Sequence, residues 1–151
     1  MTPTQPTAAD TTASGRFDAG LAVRREVMGS DFVDRALTRT EHTDSAILQH
    51  FVTDKVWGGI WTRPGLDRRS RSLLNIGILI ALRAHEELTG HVRGALRNGL
   101  TRNEITEAVV HTAGYCGAPA ALAAMRVVQE VLDSELGPLA DSQNPHAESS
   151  Q

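Results

Sequence analysis

Glu87 and His91 stand four residues apart in HEELTGHVRGALRNGLTRNEITEAV, the stretch from His85 to Val109. On a helix that spacing puts both side chains on one face. A carboxylate one turn from an imidazole can orient the ring or raise its basicity, which suits proton transfer near neutral pH. The same spacing also describes an ordinary i,i+4 pair on a solvated face, and the residues alone leave both open. Gly94 and Ala95, one turn on, leave room for a second backbone or a ligand.

Other groups could bind rather than react. Arg93 and Arg97 lie on a different side of the helix from His91, and either could grip a carboxylate through a bidentate fork or pair with a neighbouring acid. Arg68, Arg69 and Arg71 open a helix, where cations oppose the dipole, so an anion is expected nearby. Trp57 and Trp61 flank Gly58-Gly59 and could be core or the aromatic wall of a pocket. His111 and Cys116 lie around a YCG break, and the lone thiol reads as a small hydrophobe. His85 and His91 are six apart, poor spacing for one metal on one helix, so no metal site is expected.

The elements that must position these groups are helical. Residues 1–15 and 137–151 are polar and read as disordered tails around one helical domain over 16–136. FDAGLAVRREVMG gives a first helix, and SDFVDRALTR a second with Ser30 or Asp31 as its N-cap. TDSAILQHFVTDKVWGGIW gives a third, with Ile47, Leu48, Phe51, Val52 and Val56 at core spacing and a stop at Gly58-Gly59. Asp67 caps a long fourth helix that runs on to Asn98-Gly99. Its LLNIGILIALRA centre is apolar enough to be buried from several sides, by its own fold or another subunit. Thr101 and Glu104 form a capping box for a helix through Ala113, and Pro119 opens a last helix to Leu136. No strand alternation is present, so the fold class is all-α.

Composition narrows the function. The chain has 151 residues, 15 basic against 18 acidic, and a formal net charge of −3, which gives nucleic-acid binding no electrostatic support. One cysteine, no signal-peptide pattern and no long apolar run point to a cytoplasmic protein without a membrane span.

Four segments then carry a resemblance: WGGIWTRPGL at 57–66, RSLLN at 71–75, HVRGALRNG at 91–99 and YCGAPAA at 115–121. From about Val56 to Leu132, and more loosely before it, the chain resembles the 4-carboxymuconolactone decarboxylase family. The resemblance implies an alkylhydroperoxidase-like helical fold assembling as a ring, a homohexamer or else a trimer, with no metal and no organic cofactor. It implies Glu87 and His91 as the catalytic pair. Trp57, Trp61, Arg63, Arg71, Arg93 and His111 would surround a small substrate bearing carboxylates. His111 stands where the family pattern has glutamine. Related peroxidases use C-x-x-C-x-x-x-H, and aligned on His91 their cysteines fall here on Ala84 and Glu87, so dithiol chemistry is absent. The implied reaction is decarboxylation of 4-carboxymuconolactone to 3-oxoadipate enol-lactone in protocatechuate breakdown. Two alternatives remain: another acidic lactone or keto acid, with a biosynthetic pathway as one context, and a non-catalytic ring-forming scaffold.

Overall fold

A computed structural model describes residues 8–140, with side chains from residue 13 onward. Of the expected tails, residues 1–7 and 141–151 lie outside the described residues, while residues 8–15 already belong to the first helix. The elements are α1 (Ala8–Met28), α2 (Ser30–Thr40), α3 (Ser45–Phe51), a π-helical segment (Val52–Trp61), α4 (Arg68–Ala81), α5 (His85–Arg97), α6 (Arg102–Cys116) and α7 (Ala118–Leu136). Every element among the described residues is helical, as the periodicity requires. The chain groups into two compact units, one up to Arg71 and one from Ser72, so the boundary falls inside α4.

In the first unit α1 packs on the π segment with backbone against backbone. A Cβ on Gly20 would collide with the Thr53 carbonyl and the Gly58 backbone, and one on Gly58 with the Arg16 carbonyl. Arg16 grips Asp54 through two hydrogen bonds of 2.6 and 2.7 Å, and Lys55 adds a contact of 3.1 Å. The hydrogen-bonded Arg16 guanidinium holds the Asp54 carboxyl well below the usual carboxylate range. Val27, Trp57 and Trp61 form the small core beside these polar ties.

Two sequence expectations fail here. Gly58-Gly59 does not stop the third helix, which widens into π winding and continues to Trp61. Nor do Ile47, Leu48 and Phe51 face the core: they are 81%, 62% and 54% exposed. The inward positions are Thr53, Asp54, Trp57, Gly58 and Trp61. Arg24, only 7% exposed, explains the inversion. Its guanidinium donates to Thr53 Oγ1 at 2.9 Å and Gln49 Oε1 at 2.8 Å, so the polar face must turn inward to satisfy it. Burial pushes the Arg24 pKa down. The N-cap of α2 also differs. Gly29, at φ 94°, is the only residue between α1 and α2, and no side chain caps the helix.

The second unit holds the larger core, in which Ile76 and Ile80 of α4 meet Leu88, Val92 and Ala95 of α5 and Ile105 and Val128 beyond. The expected single helix from Asp67 to Asn98 is in fact two. Arg83 adopts φ 55°, Arg83 N donates to Ile80 O at 3.1 Å, and Ala84 N donates to Leu79 O at 3.0 Å. That pair of bonds is a Schellman ending, with arginine where glycine is usual. The ending after α5 uses the same bonds, from Gly99 to Leu96 O and from Leu100 to Ala95 O, and there glycine made it legible. Other signals match their expected roles. Asp67 accepts from the Ser70 N–H at 2.7 Å, and Thr101 with Glu104 forms the capping box. The helix opened by Thr101 runs to Cys116 rather than Ala113, and Pro119 sits in the first turn of α7.

Arg83 is exposed, and a left-handed conformation costs a residue with a side chain about 1–2 kcal/mol. Glycine would remove that cost and return roughly 0.5–1 kcal/mol through its greater freedom when unfolded. Arg83→Gly should therefore stabilise the protein by about 0.5–1 kcal/mol in urea unfolding, and Arg83→Val should destabilise it. A glycine variant less stable than the parent would contradict the assignment.

Candidate active site

The α5 helix presents Glu87 and His91, the expected acid–base pair, because its other face is anchored: Leu88, Val92 and Ala95 are fully buried. That leaves Glu87 exposed and His91, one turn on, half-buried. The turn at Arg83 folds α4 back along α5, so residues far apart in sequence meet. Asn75 Nδ2 lies 3.4 Å from His91 Nδ1, and Asn98 Nδ2 donates to the buried Ser72 Oγ at 2.9 Å. Burial pushes the His91 imidazole below its ordinary value, and the Glu87 carboxylate pulls it part of the way back. The ring is thus held largely neutral near pH 7, beside a carboxylate and an amide.

The remaining candidates sit as follows. Arg93 is committed to α7, with its Nε 3.0 Å from Glu135 Oε1. His111 is exposed on α6, its ring centroid 4.9 Å from that of Tyr115, and Cys116 is half-buried at the end of the same helix. In the first unit Trp57 and Trp61 stack at 4.8 Å and 24°, both buried in the core. Arg63 is exposed, and its carbonyl accepts from Arg71 Nη2 at 3.0 Å. The Nε of Arg71 is buried with no hydrogen-bond partner. The anion expected at the basic start of α4 is supplied by the Asp67 cap and by Glu26, which pairs with Arg68. Sequence reasoning missed Asn75. It lies in the quoted RSLLN segment, but its partner is sixteen residues away, and only the α4–α5 turn brings them together.

A cleft of about 510 Å³ in the first unit is lined by Phe17, Asp34, Glu41, Gln49 and His50 among others, and contains none of the expected site residues. Among the described residues no three His, Cys, Asp or Glu side chains gather as metal ligands, and no helix is long and apolar enough to cross a membrane.

The model of the carboxymuconolactone decarboxylase family matches residues 48–130, more than half of the chain. The chain belongs to the carboxymuconolactone decarboxylase family. Glu87, His91 and Asn75 all lie within the matched stretch. The chain is 47% identical over 118 residues to the nitrosuccinic acid decarboxylase of Metarhizium robertsii, covering 78% of this chain and 81% of that protein. It is 40% identical over 116 residues to the 4-carboxymuconolactone decarboxylase of Acinetobacter baylyi, covering 77% and 86%. This family member is therefore similar along most of its length to decarboxylases named for two different substrates.

The lowered His91 pKa carries a consequence for stability. Between its lowered folded pKa and the ordinary unfolded value of 6.5, the unfolded state binds more protons. Stability from this group is then fully present above pH 6.5 and is lost as pH falls through the folded pKa. His91→Gln should flatten the acid side of the stability–pH curve in urea titrations. An unchanged acid slope would show that His91 is not desolvated.

Proposed function

We propose that this protein is a cofactor-independent carboxy-lyase acting on a small dicarboxylic acid that carries its own electron acceptor. Glu87 and His91 are the reacting pair. The observation that supports this is a desolvated histidine beside a carboxylate on α5, inside a chain similar to two decarboxylases. The first substrate reading is 4-carboxymuconolactone. Its ring carbon–carboxylate bond breaks, the bonding pair moves through the ring double bond onto the lactone carbonyl, and CO2 leaves. A proton then adds to the carbon beside that carbonyl, giving the enol-lactone. The lactone is the electron sink, so neither pyridoxal nor thiamine chemistry is needed.

His91 delivers the proton. At rest its burial keeps it neutral; the negative charges of a bound dicarboxylate offset that burial and restore the protonated form. Glu87 supports the imidazolium during transfer. Trp57, Trp61, Arg63, Arg71, Arg93 and His111 are the proposed substrate-binding set. Arg71, with an unsatisfied buried Nε, is the arginine among them that most needs an acceptor.

A second reading is nitrosuccinic acid, favoured by the 47% identity to a decarboxylase of that compound. The chemistry maps directly. CO2 leaves the nitro-bearing carbon, the electron pair rests on the nitro oxygens, and the same carbon is reprotonated. Purified protein should be given each substrate with no added metal or cofactor, and CO2 and product followed. Turnover of 4-carboxymuconolactone supports the first reading, turnover of nitrosuccinic acid alone moves the assignment to the second, and neither would overturn both. His91→Ala should lower turnover at least about a hundredfold in a folded protein.

Self-association in the cytoplasm, as a homohexamer or a trimer, belongs to the same proposal. Ile47, Leu48 and Phe51 on α3, and Leu74 and Ile78 along α4 with Leu82 just past its end, form exposed apolar stripes of the kind subunit contacts cover. Light scattering should give a mass several times 16.3 kDa. A monodisperse monomer would contradict assembly.

A further inference from the structure

We infer that Asn75 is a positioning residue that fixes the tautomer of His91, so that Nε2, and not Nδ1, is the nitrogen that faces the substrate with a proton. The inference deepens the proposed function and rests on it for its catalytic meaning. The geometry is independent of that reading. Asn75 and His91 sit on opposite sides of the Arg83 turn, on helices whose buried faces share one core. Asn75 Nδ2 is 3.4 Å from His91 Nδ1. An amide N–H has no lone pair to offer, so the ring nitrogen opposite it must be the acceptor. In a neutral imidazole one nitrogen accepts and the other carries the hydrogen. Nδ1 accepting from Asn75 therefore puts the hydrogen on Nε2.

A second tie keeps that contact in register. Asn98, at the end of α5, donates to Ser72, one turn before Asn75 on α4, at 2.9 Å. Ser72 is fully buried, so the rung cannot be replaced by water without cost. Two cross-hairpin amide contacts thus hold α5 at one height against α4. One of them ends on the histidine. An amide suits this task better than a carboxylate would. It orients the ring without adding charge, so the burial that keeps His91 neutral is not undone from the Nδ1 side. Glu87 can then act on the imidazolium only when substrate binding calls for one.

The test uses the full-length protein labelled with 15N at histidine, with His91 signals assigned by their loss in His91→Gln. Ring-nitrogen spectra are recorded well above the imidazole titration range. The wild type should show a pyridine-type Nδ1 and a pyrrole-type Nε2. Asn75→Ala should weaken that preference toward the modest Nε2–H excess of a free neutral imidazole, and Asn75→Asp should reverse it, because a carboxylate can only accept from Nδ1–H. A wild-type ring protonated at Nδ1, or a tautomer unchanged in Asn75→Asp, would overturn the inference. Thermal unfolding of both variants checks that they fold, and a wild-type ring protonated at Nδ1 overturns the inference even if neither does. Where a substrate turns over, kcat should fall on the order of tenfold in Asn75→Ala, and at least about a hundredfold in Asn75→Asp, with KM little changed. If no dicarboxylate reacts, the proposed function fails while the spectra still decide the role of Asn75.

Discussion

The left-handed backbone at Arg83 is the constraint on which the second unit depends. Without it α4 and α5 would be one rod, and at about 1.5 Å per residue Asn75 and His91 would stand about 24 Å apart. With it they touch, and Ile76 and Ile80 come to share a core with Leu88, Val92 and Ala95. The local conformational cost at one arginine is outweighed by the apolar surface that the hairpin buries, since each fully buried aliphatic side chain contributes about 1.5–3 kcal/mol. The histidine environment follows from the same turn. Burial disfavours the imidazolium, and the turn sets Asn75 of α4 against the ring that α5 presents.

The first unit solves a different problem. Its core is small, and three devices compensate: glycines that let α1 meet the π segment backbone to backbone, the Arg16–Asp54 fork, and Arg24 satisfied by Thr53 and Gln49. A widened helix suits this arrangement. It brings Thr53, Trp57 and Trp61 to the inner side together, at a spacing of four. The cost is an apolar outer face on α3, where Ile47, Leu48 and Phe51 are exposed.

The two similar decarboxylases are named for substrates that share little shape. Their substrates share an electronic requirement: a carboxylate leaves from a carbon joined, directly or through a double bond, to a group that accepts electrons. A scaffold serving that requirement needs a carboxylate grip, a water-poor proton donor and space for a small acid.

Much of this was written in local sequence. Helical periodicity, the Thr101–Glu104 box, the Asp67 cap, Gly99 and Pro119 each act within one turn of chain, so their effect is readable without knowing what lies opposite. Glu87 and His91 belong to that class, because four residues on a helix guarantee one face. What needed the tertiary structure was everything decided by a distant partner. Arg83 ends a helix that no residue type marks, because the gain comes from packing on its far side. Ile47, Leu48 and Phe51 point outward because Arg24, more than twenty residues earlier, requires the polar face. Asn75 meets His91 only because the hairpin closes. Local hydrogen bonds are encoded by neighbours in the chain; burial and its consequences for charge are decided by neighbours in space.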